Sequence, residues 1–166
     1  MNILIPMAGE GSRFKINGYE LPKPLIEVDG EPMIKKAVET LNLNGRYIFI
    51  TRKYQDAKNN LNLKNALNEI APGCVIIEID KLTNGSAETC LAAKDYINNS
   101  EELIITNCDQ LMEWDSSIFN NFIKTDMDGA VVTYTSTDPK NSFVELSKDN
   151  KAKRIVEKEP ISDIAL

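Results

Sequence analysis

The sequence predicts an α/β fold: a Rossmann-like, doubly wound, mixed but mostly parallel sheet with helices on both faces, ending in an antiparallel hairpin. Three observations carry that expectation. Short, continuous apolar runs recur along the chain, at the length of strands covered on both faces. Segments with helical periodicity alternate with them, and a β-α-β-α order implies a layered α/β sheet. After residue 140 the helical signals stop and a turn separates two strand-like segments.

The first strand is Asn2–Pro6, and later ones are Arg46–Thr51, Cys74–Ile79, Leu103–Thr106 and Ala130–Thr135. Pro32 suits the start of a helix in which Met33, Ile34, Ala37, Val38 and Leu41 recur at helical spacing. Asp56–Asn68 is a second helix, Asn-rich and weaker in pattern. Ser86 caps a third, with Ala87, Cys90, Leu91 and Ile97 inward, and Asp115 caps a fourth, with Ile118, Phe119, Phe122 and Ile123 on one face. Phe143–Leu146 and Lys153–Val156 flank a Lys-Asp-Asn turn as a hairpin. The connection from Met7 to Glu31 is long for a compact domain and leaves the carboxyl end of a strand, where ligands bind in open α/β sheets.

The 166 residues fit one domain spanning 1–166, with 42% hydrophobic and 27% charged residues. A net charge of −6 disfavours nucleic acid as a partner, although local cations and backbone N–H groups still bind a nucleotide. The absence of histidine excludes His-based catalysis and His-ligated metal sites. Cys74, Cys90 and Cys108 match no zinc or CxxC spacing and read as buried, reduced thiols of a cytoplasmic protein. The opening residues MNILIPMAG, with no basic region and only a short apolar run, read as neither a signal peptide nor a membrane span.

Five short segments offer chemistry, and each also has a plain structural use. Gly9-Glu10-Gly11-Ser12-Arg13 can turn tightly, bring backbone N–H groups against phosphate oxygens and add the fork of Arg13; it equally makes a Gly-rich turn with a surface arginine. Neither a third glycine for a dinucleotide fingerprint nor a Gly-Lys-Ser/Thr for a Walker A loop follows. Leu21-Pro22-Lys23-Pro24-Leu25 fixes the backbone on both sides of Lys23 and aims its ammonium, or is a rigid surface turn. Asp109, just past a strand, can hold Mg²⁺ or cap a turn. Asn84-Gly85-Ser86-Ala87 leaves room for a flat base or simply caps a helix. Glu157 and Lys158 can meet substrate hydroxyls and phosphate, or decorate a charged strand end.

Taken in order, the first strand, AGEGSRF, LPKPLIEVDGEPMI leading into a helix, NGSAETCLAAK, LIITNCDQ and IVEKEP resemble the sugar-phosphate nucleotidyltransferase (nucleoside-diphosphate-sugar pyrophosphorylase) family over nearly the whole chain. That resemblance implies Mg²⁺-dependent transfer of a nucleoside monophosphate from an NTP, a pyrimidine one favoured, to a phosphorylated small acceptor such as a sugar 1-phosphate, with release of pyrophosphate. Carried to matching positions, Ala8 and Gly9 would meet the base or ribose. Gly11, Ser12 and Arg13 would cradle the triphosphate, with Arg13 acting catalytically on the departing pyrophosphate, and Lys23 would hold the α-phosphate and the incoming phosphate. Gly85, Ser86 and Ala87 would bound the base, Asp109 would bind Mg²⁺, and Glu157 and Lys158 would sit at the acceptor. The family's Leu-Ala-Ala-Gly start is Pro6-Met7-Ala8-Gly9 here, a variant that looks like a branch found among surface-polysaccharide genes. Its Glu-Lys-Pro is Glu157-Lys158-Glu159-Pro160. The family's catalytic domain continues past residue 166 and carries a second acidic Mg²⁺ ligand there, so a truncated form with weak turnover is expected. A non-catalytic nucleotide-binding module of the same fold is the alternative, and association into a homo-oligomer is left open.

Overall fold

The computed structural model describes residues 1–125 and 127–166. They form two compact units, Met1–Ile118 and Phe119–Leu166. In chain order the elements of the first are β1 (Asn2–Pro6), α1 (Ser12–Ile16), a 3-10 turn (Lys23–Leu25), β2 (Glu27–Val28), β3 (Glu31–Pro32), α2 (Met33–Leu41), β4 (Arg46–Arg52), α3 (Ala57–Ile70), β5 (Val75–Ile79), α4 (Ser86–Leu91), α5 (Lys94–Ile97) and β6 (Leu103–Ile105). Helix α6 (Ser116–Phe122) crosses the boundary. The second unit then has β7 (Tyr134–Thr135), β8 (Ser142–Leu146), β9 (Ala152–Glu157) and β10 (Ile164–Ala165).

The first unit is built on a four-stranded parallel sheet in the order β5-β4-β1-β6. Alternate residues of a strand face opposite sides. Here both parities are apolar and buried: Ile3, Leu4, Ile5, Ile48, Phe49 and Ile50 are all 0–1% exposed. Leu4, Ile48 and Ile50 pack with Ala8 and Ala93, backed by Cys90 and Ile97 of the α4–α5 segment. A sheet apolar on both faces needs helices on both, as expected for a doubly wound fold.

The helices follow their patterns with two exceptions. In α2 the predicted stripe Met33, Ile34, Ala37, Val38 and Leu41 is buried. Asp56 caps α3, its carboxylate accepting from Lys58 N at 2.8 Å, and α3 buries Leu63 and Leu67. The third helix breaks into α4 and α5, and its inward residues are Thr89, Cys90, Ala93 and Ile97, not Ala87 and Leu91, which are exposed. The break at Ala92–Ala93 rotates the face that a single continuous helix would have presented. Asp115 caps α6 through Ser117 N at 2.9 Å, but Ile118 and Phe122 of the predicted apolar face are exposed.

The connection after β1 is more structured than its glycines suggest. Besides α1 and the 3-10 turn it holds the small hairpin β2–β3, turned by Asp29 (φ 53°) and Gly30 (φ 80°), as in a two-residue turn with both residues left-handed.

The second unit is an antiparallel sheet in the order β7-β10-β8-β9. The predicted hairpin is β8–β9, with an irregularity at Glu145/Leu146. Of the predicted strand Ala130–Thr135 only Tyr134–Thr135 pairs, and it pairs antiparallel with β10 rather than joining the parallel sheet. Val131, Val132 and Tyr134 are 48–50% exposed, so the apolar run is not the buried parallel strand its composition suggested. Among the described residues no helix is long and apolar enough to cross a membrane.

Candidate functional site

Strand order reverses between β1 and β6: the chain steps outward from β1 to β4 and β5, then returns to β6 on the other side. A crevice forms at such a switch point, beyond the carboxyl ends of the strands. The Gly-rich segment leaves β1 there, and Asp109 follows β6.

Met7 and Ala8 stay buried as β1 ends, with Met7 N donating to Ile50 O at 2.9 Å. The chain then surfaces at Gly9 and Glu10. Gly11 turns it with φ 62°, a left-handed conformation that costs any other residue roughly 1–2 kcal/mol. Gly11 O accepts from Phe14 N and Lys15 N. A Cβ added at Gly11 would lie 3.3 Å from Lys23 Cβ, so the glycine also lets the loop close against the Pro-Lys-Pro turn.

Pro22 and Pro24 are buried and hold Lys23 between them. The Lys23 ammonium donates to Asp109 Oδ2 at 2.5 Å across 86 residues of sequence, and it also stands over the Phe14 ring at 5.9 Å. Cys108 is 5% exposed, and burial pushes its thiol up to about 11; the ammonium of Lys23 lowers that value and the carboxylate of Asp109 raises it. The thiol is therefore protonated at neutral pH. Cys74 and Cys90 are only partly buried, less enclosed than expected, and burial raises both thiols.

The segment carrying Asp109 is fixed at both ends. Thr106 N donates to Leu4 O at 3.1 Å. On the far side Met112 N donates to Thr40 Oγ1 at 3.1 Å, and Trp114 Nε1 donates to Thr40 O and Leu41 O at 3.2 Å. The strand before Asp109, β6, is at the edge of the parallel sheet. The crevice position survives because the switch point lies between β6 and β1.

Gly85 precedes α4 in extended backbone, with Ser86 and Ala87 exposed. The turn is held from below. Glu88 Oε2 accepts from Asn84 N at 2.8 Å and Asn84 Nδ2 at 2.7 Å, and Thr83 and Thr89 hydroxyls meet at 2.6 Å. The two Asn84 bonds hold the Glu88 carboxyl below its ordinary value. Helix α4 packs against β1, and Ala8 shares the buried cluster with Cys90 and Ala93.

A groove of about 390 Å³ opens beside the glycine loop, lined by Glu10, Gly11 and Lys15, by Glu20 to Lys23, and by Arg52 to Asp56 with Asn59. Arg13 does not line it; its side chain is exposed and its carbonyl accepts from Asn17. Sequence reading missed Arg52, Lys53 and Tyr54. Their signal was the one that marked Gly9 and Asp109: polar residues at the carboxyl end of a parallel strand.

In the second unit Glu157 ends β9 and Lys158 follows with φ 57°. The Lys158 ammonium meets Glu157 Oε1 at 2.6 Å, which lowers the Glu157 carboxyl, and both side chains are exposed.

A family model described as the MobA-like NTP transferase domain matches residues 3–158. The chain belongs to that family. It is 28% identical over 119 residues to the bifunctional protein GlmU of Methanocaldococcus jannaschii, covering 72% of this chain and 27% of that protein. It is 26% identical over 161 residues to GlmU of Methanococcus vannielii, covering 95% and 35%. The chain thus spans about a quarter to a third of the length of these curated relatives. A nucleoside-diphosphate-sugar pyrophosphorylase from Vibrio cholerae superposes with a TM-score of 0.74 at 24% identity, over 98% of this chain and 69% of that one. The inositol-1-phosphate CTP transferase of T. maritima does so with 0.71 at 17%, over 99% and 66%. At these identities the likeness is one of fold, and it agrees with the sugar-phosphate nucleotidyltransferase resemblance carried by the motifs.

Proposed function

We propose that this NTP transferase domain transfers a nucleoside monophosphate from a pyrimidine NTP to a phosphorylated small acceptor, a sugar 1-phosphate being the leading class, and releases pyrophosphate. The observation that carries this reading is the convergence of the Gly11 turn, Lys23 and Asp109 at the switch point. Lys23 and Asp109 are distant in sequence, share no secondary-structure element and have no structural need to meet at a strand end.

The acceptor phosphate is already anionic at neutral pH, so attack at the α-phosphorus needs no general base. The residues then act by positioning and charge neutralisation. Backbone N–H groups of the Gly9–Arg13 loop approach phosphate oxygens, and Lys23, restrained by its prolines, offsets charge on the α-phosphate. Gly85, Ser86 and Ala87 bound the base. Glu157 and Lys158 are the proposed acceptor contacts.

Magnesium is the proposed metal, and the donor chemistry fits it: Mg²⁺ is usually held by one or two carboxylates plus substrate phosphates. Asp109 supplies one carboxylate beside the phosphate loop, while among the described residues no group of three or more His, Cys, Asp or Glu side chains is arranged to hold a metal by itself. The ion would neutralise phosphate charge, and Lys23 would be released to the nucleotide when Asp109 takes a new partner. The pyrimidine choice draws on the resemblance and on the T. maritima neighbour, which is named for CTP. A role in surface-polysaccharide precursor synthesis in the cytoplasm belongs to the same proposal.

The test is a matrix of NTPs against phosphorylated acceptors, with pyrophosphate release as readout. Release requiring both a pyrimidine NTP and a phosphorylated acceptor supports the reading. NTP binding without release from any pair would make the chain a nucleotide-binding module instead.

A further inference from the structure

The groove beside the glycine loop contains a cation that the family motifs do not account for. Arg52 ends β4, where it pairs with Ile79 of β5, two residues past the point at which Pro6 pairs with Ile50 and β1 gives way to the glycine loop. Its side chain is only 17% exposed. The guanidinium stands over the Tyr54 ring at 5.2 Å. Tyr54 is in turn pinned by Asn60, whose Oδ1 accepts from Tyr54 N at 2.8 Å and whose Nδ2 donates to Tyr54 O at 2.6 Å. Arg52 is therefore aimed, yet its one anionic partner among the described residues is the half-exposed Glu10 carboxylate at a long 3.8 Å. Lys15 and Lys53 line the same groove without an ion pair among the described residues, and Lys23, paired with Asp109, also lines it. The groove brings Arg52, Lys15, Lys53 and Lys23 together with Glu10, Glu20 and Asp56, and because Lys23 is already paired with Asp109 it is the aimed guanidinium, not net charge, that sets the groove apart.

We propose that this groove is a phosphate-binding subsite and that Arg52 is its anchoring cation, with Glu10 occupying the guanidinium until a phosphate displaces it. The identification of the ligand as phosphate rests on the nucleotidyltransferase reading. An oriented guanidinium matches phosphate oxygens with two parallel hydrogen bonds, which the single long contact to Glu10 does not use. The phosphate is either the pyrophosphate end of the NTP or the phosphate of the acceptor.

Calorimetric titration of the chain with inorganic pyrophosphate and, separately, with glucose 1-phosphate distinguishes the two. Arg52→Gln should weaken one of them roughly tenfold or more, the usual scale for a charge-assisted hydrogen bond. Loss confined to pyrophosphate assigns the NTP end, and loss confined to glucose 1-phosphate assigns the acceptor. Arg52→Lys, which keeps the charge and spares the strand but lacks the fork, should also bind more weakly than the parent. Glu10→Gln should tighten binding several-fold, whereas a merely structural Glu10–Arg52 tether predicts weaker binding. Equal affinities of parent and Arg52→Gln, no binding of either anion by the parent, or weaker binding in Glu10→Gln overturns the proposal. Pyrophosphate release from NTPs is followed in parallel. An active parent with an Arg52→Gln variant of unchanged affinity sinks this inference alone, while Arg52-dependent anion binding without turnover sinks the transferase reading and leaves the subsite standing.

Discussion

The Lys23–Asp109 ion pair is the decisive contact at the level of single residues, and it sets the expected behaviour of both partners. Each neutralises the other at the surface of the crevice, so neither is required to satisfy a buried charge. Lys23→Ala should therefore fold normally, and its circular dichroism should match that of the parent. Turnover should nonetheless fall about a hundredfold or more, the typical loss when a transition-state charge contact is removed. Asp109→Ala should abolish Mg²⁺-dependent pyrophosphate release, and Asp109→Asn should largely do so. Unchanged kinetics in Lys23→Ala would reduce Pro22-Lys23-Pro24 to a rigid turn. Both residues were legible from sequence as a restrained lysine and a strand-end carboxylate. Their pairing was not, because it depends on β6 lying beside β1, which no local pattern encodes. Arg52 carried the same strand-end signal as Asp109 and was passed over because no motif surrounds it; its stacking on Tyr54 and its groove single it out in the structure.

Local patterns succeeded where burial follows from one segment alone and failed where a neighbouring element decides. The α2 stripe and the β1 and β4 runs are apolar because both faces of the sheet are covered, and they read correctly. Ala130–Thr135 has the same composition but pairs over two residues with β10, a partner that lies later in the chain. The Asp29-Gly30 dipeptide, a recognised hairpin signal, was absorbed into a long loop because the strands around it are two residues each. Two elements carry predictions. The Trp114 indole clamps the Asp109 segment to the last carbonyls of α2, so Trp114→Phe should cost about 0.5–1.5 kcal/mol, measured by denaturant unfolding, and raise the Mg²⁺ concentration needed for half-maximal turnover. An unchanged Mg²⁺ requirement would show that the clamp does not set Asp109. The turn before α4 is sensitive to acid. Its Glu88 carboxyl is held below the ordinary value of 4.5, chiefly by the Asn84 backbone N–H and then by the Asn84 side chain. A group lowered by folding stabilises fully above its unfolded value and loses that contribution as pH falls through the folded one. The Asn84 amide resonance should accordingly shift in NMR spectra as pH drops below 4.5, and Glu88→Gln should remove that titration.

Across the whole molecule, stability is expected to be uneven. The first unit encloses the centres of β1 and β4, where residues 3–5 and 48–50 are 0–1% exposed. The second has 48 residues by its bounds, and among its described residues the enclosed side chains are few: Phe143, Val144 and Ala165. Small units bury a smaller fraction of their surface and open more readily. Amides of β1 and β4 should therefore exchange with solvent most slowly, and those of β7 and β10 should exchange early. A ligand that binds only the folded form protects what it touches and stabilises it by mass action. Adding a pyrimidine NTP with Mg²⁺ should slow exchange in Gly9–Arg13, Gly85–Ala87 and the Thr106–Asp109 segment, all of which lie in the first unit, and should leave β8 and β9 nearly unchanged. Adding the phosphorylated acceptor afterwards should be the step that slows exchange around Glu157 and Lys158. Protection of β9 by the NTP alone would reassign those two residues to the nucleotide, and absence of protection at Gly9–Arg13 would remove the nucleotide from the switch point altogether.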